Sequence, residues 1–226
     1  MCGGGPENRG ESIDGRRDAQ MRIGLDFDNT LVCYDRAFLE VGREERMLPG
    51  DFSGSKEAVK RWLLEQRPDG FLWEKLQGLV YGRRIDRAAL FEGADRFLRA
   101  CQGRPGVVVL IVSHKTLFAH HDPFRTDLRT AAMEWMETRH FFTPAGYGLE
   151  RGDVFFESSR EEKIDRIRDA RCDVFIDDLP EVLSHADMPR NCRKILFRGM
   201  PHGALEQFHC WDDICDALFP SVAAPA

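Results

Sequence analysis

Two aspartates one residue apart open the chemistry of this chain. Asp26-Phe27-Asp28-Asn29-Thr30 follows directly on an apolar run that begins at Met21. Side chains alternate along a strand, so Asp26 and Asp28 share a face where the run leaves a sheet. Carboxylates that close repel each other unless a cation or a proton compensates them. A hard divalent ion that keeps part of its water shell, such as Mg2+, suits an all-oxygen pair. One carboxylate can then attack phosphorus while the other moves protons at the leaving oxygen and at water. The bland alternative is a turn or helix cap, where aspartate is common.

The elements that must position this pair are short apolar runs with polar ends. Met21 to Phe27 ends in Asp28-Asn29-Thr30, and Val107 to Val112 ends in Ser113-His114-Lys115. Asp153 to Phe156 ends in Glu157-Ser158, Asp173 to Ile176 in Asp177-Asp178, and Lys194 to Phe197 in Arg198-Gly199. Near-continuous apolar strands separated by helix-length segments predict an α/β fold, a Rossmann-like parallel sheet with helices on both faces. Helices are expected over Phe124 to Phe141, Arg160 to Ala170, Pro180 to His185 and Trp211 to Leu218, with Ser159 and Glu162 as a capping box. Ligands of such sheets bind outside the carboxyl ends of the strands. That rim gathers Asp26, Asp28, Ser113, Lys115, Asp177 and Asp178.

Each rim residue has a plain reading beside the chemical one. Ser113 offers a hydroxyl and nearby backbone N–H groups to a phosphate oxygen, or simply caps a helix. Lys163, near the start of a helix, opposes the macrodipole and compensates a phosphate or carboxylate, or is solvated surface. His114 can contribute its backbone N–H and Lys115 can orient substrate; both can equally be rim surface. Asp177 and Asp178 are placed so that at least one carboxylate reaches the same cation as Asp26.

About eighty residues separate the first two long strands, too many for one crossover helix. Amphipathic stretches over Ala37 to Met47, Ser55 to Gln66 and Phe71 to Val80 predict a small helical insertion at 36–91. Glu92 to Cys101 would then return the chain to an α/β core formed by 21–35 and 92–219. Tails at 1–20, expected to be disordered, and 220–226 complete the division. The basic stretch Tyr81-Gly82-Arg83-Arg84 with Arg87 can grip an anionic leaving group or lie in solvent. His120-His121-Asp122 lacks a third metal ligand at a plausible spacing. Cys33 reads as a packing cysteine, and Trp62, Trp73, Trp135 and Trp211 as core or insertion anchors.

A net charge of −6 across 226 residues provides no global basic field for nucleic acid or an anionic membrane. With 42% apolar and 31% charged residues the composition is that of a globular protein. No apolar run is long enough to cross a bilayer, and the first twenty residues have no apolar core like that of a secretory signal. The seven cysteines are odd in number and scattered, as reduced thiols are, so a cytoplasmic location is expected. The oligomeric state is not encoded in any of these features.

The sequence resembles the haloacid dehalogenase superfamily of aspartate-nucleophile phosphatases. The matching residues are LDFDNTL at Leu25 to Leu31, LIVS at Leu110 to Ser113, Lys163, and VFIDD at Val174 to Asp178, in the family's order. Asn29 stands where many members carry glycine. The resemblance implies that Asp26 is the nucleophile and Asp28 the general acid/base, with the Asp28 carbonyl also on Mg2+. It implies that Ser113 and the neighbouring His114 hold the phosphoryl group and that Lys163 neutralises Asp26 and the phosphate. Asp178 would ligate the metal, with Asp177 on a metal-bound water or on Lys163. The insertion would be a mobile lid, and the substrate a small phosphomonoester of a sugar, nucleotide or other metabolite. Transfer to another alcohol, dehalogenation, or a silent phosphate-binding scaffold are the alternatives. A signalling receiver domain also sets acids and a lysine on a parallel sheet, but the order and length of the elements here argue against it.

Overall fold

In a computed structural model that describes residues 20–220, the apolar run after Gln20 becomes the strand β1 (Met21–Leu25). The expected tails fall outside the described residues except for Gln20 and Pro220. β1 is flanked on both sides by parallel strands, β4 (Val107–His114) and β6 (Val174–Asp177). The sheet has six strands in the order β5-β4-β1-β6-β7-β8, with β5 at Val154–Glu157, β7 at Arg193–Phe197 and β8 at Glu206–Phe208. All its pairings are parallel. The chain runs outward from β1 to β5 and then crosses to β6 on the other side of β1. Such a reversal opens a crevice at the carboxyl ends of the central strands.

Alternation along the strands sends residues to two separate cores. Ile23, Leu25, Val109 and Ile111 face one side, while Leu110, Val112, Phe175 and Leu196 face the other. Gly24 has to lack a side chain, because a Cβ there would lie 2.5 Å from the Phe175 ring. The first side is covered by α4 (Ala94–Gln102), α5 (Leu128–Thr138) and α8 (Trp211–Leu218). The second is covered by α6 (Arg160–Asp169) and α7 (Pro180–Leu183).

Three further helices leave and re-enter through a two-stranded antiparallel ribbon, β2 (Val32–Cys33) with β3 (Ala89–Leu90). They are α1 (Asp35–Glu44), α2 (Lys56–Gln66) and α3 (Phe71–Tyr81). Phe38, Trp73, Leu76, Val59 and Leu63 are buried among them. Two buried tryptophans fix the ends of the ribbon. The Trp211 indole N–H donates to Thr30 O at 3.1 Å, ahead of β2. The Trp135 indole N–H donates to Ala88 O at 3.2 Å, ahead of β3. Burying either indole with its N–H satisfied contributes on the order of 3–5 kcal/mol, which anchors the exits of the insertion to the core.

Several elements differ from the sequence reading in their ends. α5 starts at Leu128 rather than Phe124, because Asp122 accepts the N–H groups of Phe124 and Thr126 in a turn and Asp127 caps the helix. Ser159 caps α6 as expected, accepting from Glu162 N at 3.1 Å, but the returning Glu162 carboxylate accepts from Ser158 N instead. The short strands β2, β3 and β8 were not foreseen.

Candidate active site at the carboxyl end of the sheet

The chain leaves β1 through a tight turn in which Asn29 N donates to Val32 O and Val32 N donates to Phe27 O. Asn29 sits at φ 62°, the left-handed region that asparagine and glycine tolerate best. This turn aims Phe27 into the core, edge-on to Trp135 and Phe156, and leaves Asp26 and Asp28 on the opposite face.

Asp26 is nearly fully buried. Its Oδ1 accepts from Ser113 Oγ at 2.8 Å and from Lys163 Nζ at 2.6 Å. No donor reaches Oδ2 among the described residues. Lys163 also donates to Asp177 Oδ2 at 2.6 Å, so one buried ammonium links two buried carboxylates. Burial pulls the Lys163 pKa down, but the Asp177 and Asp26 charges outweigh it and hold the ammonium protonated well above its usual range. Both Asp177 oxygens have a partner, since its Oδ1 accepts from Leu179 N at 2.9 Å. Asp178 is different, with only a long contact of 3.5 Å from Thr30 Oγ1. Burial, then the charges of Asp26 and Asp177, raise its pKa; burial raises that of Asp177 as well, against the pull of Lys163.

Asp26, Asp28, Ser113, Lys163 and Asp178 border a cavity of about 130 Å³ with His114 and Arg160. The His114 ring turns aside, its Nε2–H donating to Ser158 O at 3.1 Å. Arg160, at the start of α6, is a rim cation that the sequence reading passed over.

Lys115 is not the surface residue that the sequence allowed. It is 4% exposed, and its Nζ donates to both oxygens of Asp28, at 2.7 and 3.1 Å. The Phe27, Tyr81 and Phe156 rings surround the ammonium at 5.2–6.0 Å. Tyr34, buried at the start of α1, donates to Asp28 Oδ1 at 2.6 Å. Burial and then the Asp28 carboxylate push the Tyr34 phenol well above its ordinary pKa. The signal for Lys115 was present: it lies two residues beyond Ser113, on the same side of the strand. Tyr34 gave none, because its position depends on the return through β2. Lys56, at the start of α2, donates to Asn29 Oδ1 at 3.0 Å and brings a cation of the insertion to the same turn.

The discounted features find ordinary partners. Arg84 and Arg87 pair with Glu44 and Glu40, and Arg83 lies over the Phe124 ring. His121 pairs with Glu74, and Asp122 serves its turn.

The residues fit a hard divalent cation. Carboxylate oxygens of Asp26, Asp177 and Asp178 lie within 4.8 Å of one another, and no other such grouping of three exists among the described residues. Four carboxylates (Asp26, Asp28, Asp177, Asp178) are in direct contact with only two ammonium groups, Lys115 and Lys163. With all four acids ionised the excess is two negative charges, and Asp178 pairs with neither ammonium.

No protein-family model matches the chain, and no curated protein matches it by sequence. Its fold is similar to that of a haloacid dehalogenase-like family hydrolase from Xanthomonas campestris, at 10% identity and TM-score 0.51, covering 88% of this chain and 95% of that one. It is also similar to a HAD family hydrolase from Deinococcus radiodurans with bound phosphate and sodium, at 19% identity and TM-score 0.50, covering 89% and 96%. A third likeness is to the Mycobacterium tuberculosis Protein Tyrosine Kinase A, at 13% identity and TM-score 0.53, covering 89% and 99%. No helix among the described residues is long and apolar enough to cross a membrane. Six parallel strands in this order, helices on both faces and an insertion after the first strand give the chain the fold of the haloacid dehalogenase-superfamily hydrolases.

Proposed function

We propose that this chain is a Mg2+-dependent phosphatase that hydrolyses a small phosphomonoester through an aspartyl-phosphate on Asp26. One observation carries the reading: Asp26 is held by Ser113 and Lys163 through Oδ1 while Oδ2 is left free beside a phosphate-sized cavity. A carboxylate oriented through one oxygen is a positioned nucleophile at the other. Its attack forms the Asp26 O–P bond and breaks the ester P–O bond. The leaving oxygen takes a proton through Asp28, with the Lys115 ammonium in contact behind it. Asp28 then accepts a proton from water, which displaces Asp26 and releases phosphate. Ser113 and the His114 backbone N–H face the phosphoryl oxygens, and Lys163 neutralises charge. Asp26, Asp178 and the Asp28 carbonyl would hold Mg2+, which when bound supplies positive charge against the carboxylates and the phosphate. Asp177 keeps Lys163 in place.

Asp28 favours phosphoryl transfer over halide displacement, because a halide needs no proton on leaving. The helices α1–α3 act as a lid that excludes water while the aspartyl-phosphate exists. The working substrate is a small phosphorylated metabolite, and the site of action the cytoplasm. The test is Mg2+-dependent phosphate release from p-nitrophenyl phosphate, lost in Asp26→Asn. Wild-type protein that releases no phosphate from this ester or from a broad metabolite panel would end the proposal.

A further inference from the structure

Beside the small cavity at Asp26 lies a larger one of about 260 Å³, and the two share Asp28 and His114. It opens between α3 and the loop that follows β4. The loop packs so closely on α3 that a Cβ at Gly78 would lie 2.8 Å from the Ala119 Cβ. If phosphate occupies the small cavity, the alcohol it is esterified to extends past Asp28 into the large one. What lines that space therefore sets which alcohol leaves.

The lining sets polar groups among apolar surface from Ala119 and Leu128, and it is short of positive charge. α3 contributes Glu74, Gln77 and Tyr81, and the loop contributes Thr116 and His120. Lys115 is the one lysine or arginine that lines it among the described residues, and both oxygens of Asp28 already hold its ammonium. Among the described residues the Glu74 carboxylate is met only by the His121 ring, at 3.2 Å through Oε2. Carboxylate, amide, hydroxyl and imidazole groups together donate to and accept from hydroxyls. The same carboxylate repels a second phosphate. The volume lies just below the range of about 300–1,000 Å³ typical of ligand pockets, so the group it takes is small.

We propose that this cavity binds the uncharged, hydroxyl-rich alcohol of a monosaccharide or polyol monophosphate, and that Glu74 rejects alcohols carrying a second phosphate. The inference rests on the phosphatase reading and gives it a substrate class. The basic residues Lys75, Arg83 and Arg84 line a separate cavity and do not reach this one.

The test compares kcat/KM for glucose 6-phosphate, fructose 1,6-bisphosphate, adenosine 5′-monophosphate and p-nitrophenyl phosphate in wild type, Glu74→Gln and Glu74→Lys. Wild type should favour glucose 6-phosphate over the bisphosphate and the nucleotide by at least about tenfold. Reversing one partly exposed charge should narrow the ratio to the bisphosphate by about tenfold in Glu74→Lys, and by less in Glu74→Gln. Each ratio is read on one protein, so a loss of folded material cancels. If p-nitrophenyl phosphate is hydrolysed but the bisphosphate or the nucleotide is an equal or better substrate, the substrate class is wrong and the phosphatase stands. An unmoved ratio in Glu74→Lys overturns the role of Glu74. If nothing is hydrolysed, the phosphatase reading falls, and calorimetric binding to Asp26→Asn protein decides. Binding of glucose 6-phosphate over the bisphosphate, weakened by Glu74→Lys, supports the cavity assignment; no binding overturns it.

Discussion

Replacing Lys115 by methionine separates the two jobs that the structure gives it. Methionine keeps an unbranched stem of similar length among the Phe27, Tyr81 and Phe156 rings, so packing changes little. The loss is the ammonium that donates to both Asp28 oxygens. Deleting one partner of a fully buried ion pair costs about 3–5 kcal/mol, because the other charge stays buried alone. Here the Asp28 side chain is 20% exposed and keeps the Tyr34 hydrogen bond, so the cost should drop to about 2–3 kcal/mol. For a chain of this size that lowers Tm by roughly 4–12 °C.

The catalytic effect should depend on the leaving group. Proton transfer by a positioned group is worth about 10²–10⁴-fold. With Asp28 still present but poorly held, an alkyl phosphate should lose about 100-fold in kcat, at the lower end of that range. p-Nitrophenolate leaves without a proton, so p-nitrophenyl phosphate should lose less than about tenfold. The assays are thermal unfolding by calorimetry and steady-state phosphate release with the two esters. A double variant with Asp28→Asn should lose little more than Asp28→Asn alone, since the two residues act as one unit. Lys115→Met protein that melts with wild type and loses both esters equally would refute the assignment. So would effects of the two variants that simply add.

Other perturbations follow from the same contacts. Ser113→Ala removes one charge-assisted hydrogen bond to Asp26 and should lower kcat/KM by roughly tenfold, with Asp26 still held by Lys163. Tyr34→Phe removes the 2.6 Å bond to Asp28 and should slow alkyl phosphates more than p-nitrophenyl phosphate, with a smaller effect than Lys115→Met. Asp177 and Asp178 have raised pKa values, so above the ordinary 3.8 the folded state keeps protons that the unfolded state has released. Their contribution to stability therefore falls as pH rises from about 4 into the neutral range, and metal-free protein should show that fall in Tm. Mg2+ binds the ionised acids, so it should raise Tm more at pH 8 than at pH 5; an equal rise at both would contradict the charge balance drawn here.

Much of this architecture is written in local sequence. Five apolar runs with polar ends became five parallel strands, because a strand buried on both faces has to be apolar throughout and must stop where the rim begins. The sixth strand, Glu206–Phe208, carries no such run, and it forms because β7 offers an open edge. β2 and β3 are two residues each, pair only with each other, and are tied to the core through the Thr30 and Ala88 carbonyls that the tryptophans satisfy. Neither kind of strand can be read without its partner. Asp26, Asp28, Ser113, Lys115, Asp177 and Asp178 could be placed on one rim from the ends of the apolar runs alone. Their hydrogen-bond partners could not, since Lys163 reaches Asp26 across 137 residues of chain.

Those partners divide the two aspartates between different parts of the molecule. Asp26 is held by Ser113 from β4 and Lys163 from α6, and Lys163 is held by Asp177 from β6. Every one of these belongs to the sheet and its covering helix, where packing fixes position most firmly. Asp28 is held by Lys115, just past β4, but also by Tyr34, the residue from which α1 departs. The Tyr34 ring meets that of Tyr81 on α3 at 4.7 Å, edge to face, and the Tyr81 ring lies 5.2 Å from the Lys115 ammonium. Asp28 and Lys115 are thus in contact with residues at α1 and on α3, whereas the side-chain partners of Asp26 lie on β4 and α6. A nucleophile must keep one geometry through both half-reactions. A proton carrier has to serve an alcohol in one and water in the other, and on the proposed mechanism it is the carrier that touches the insertion.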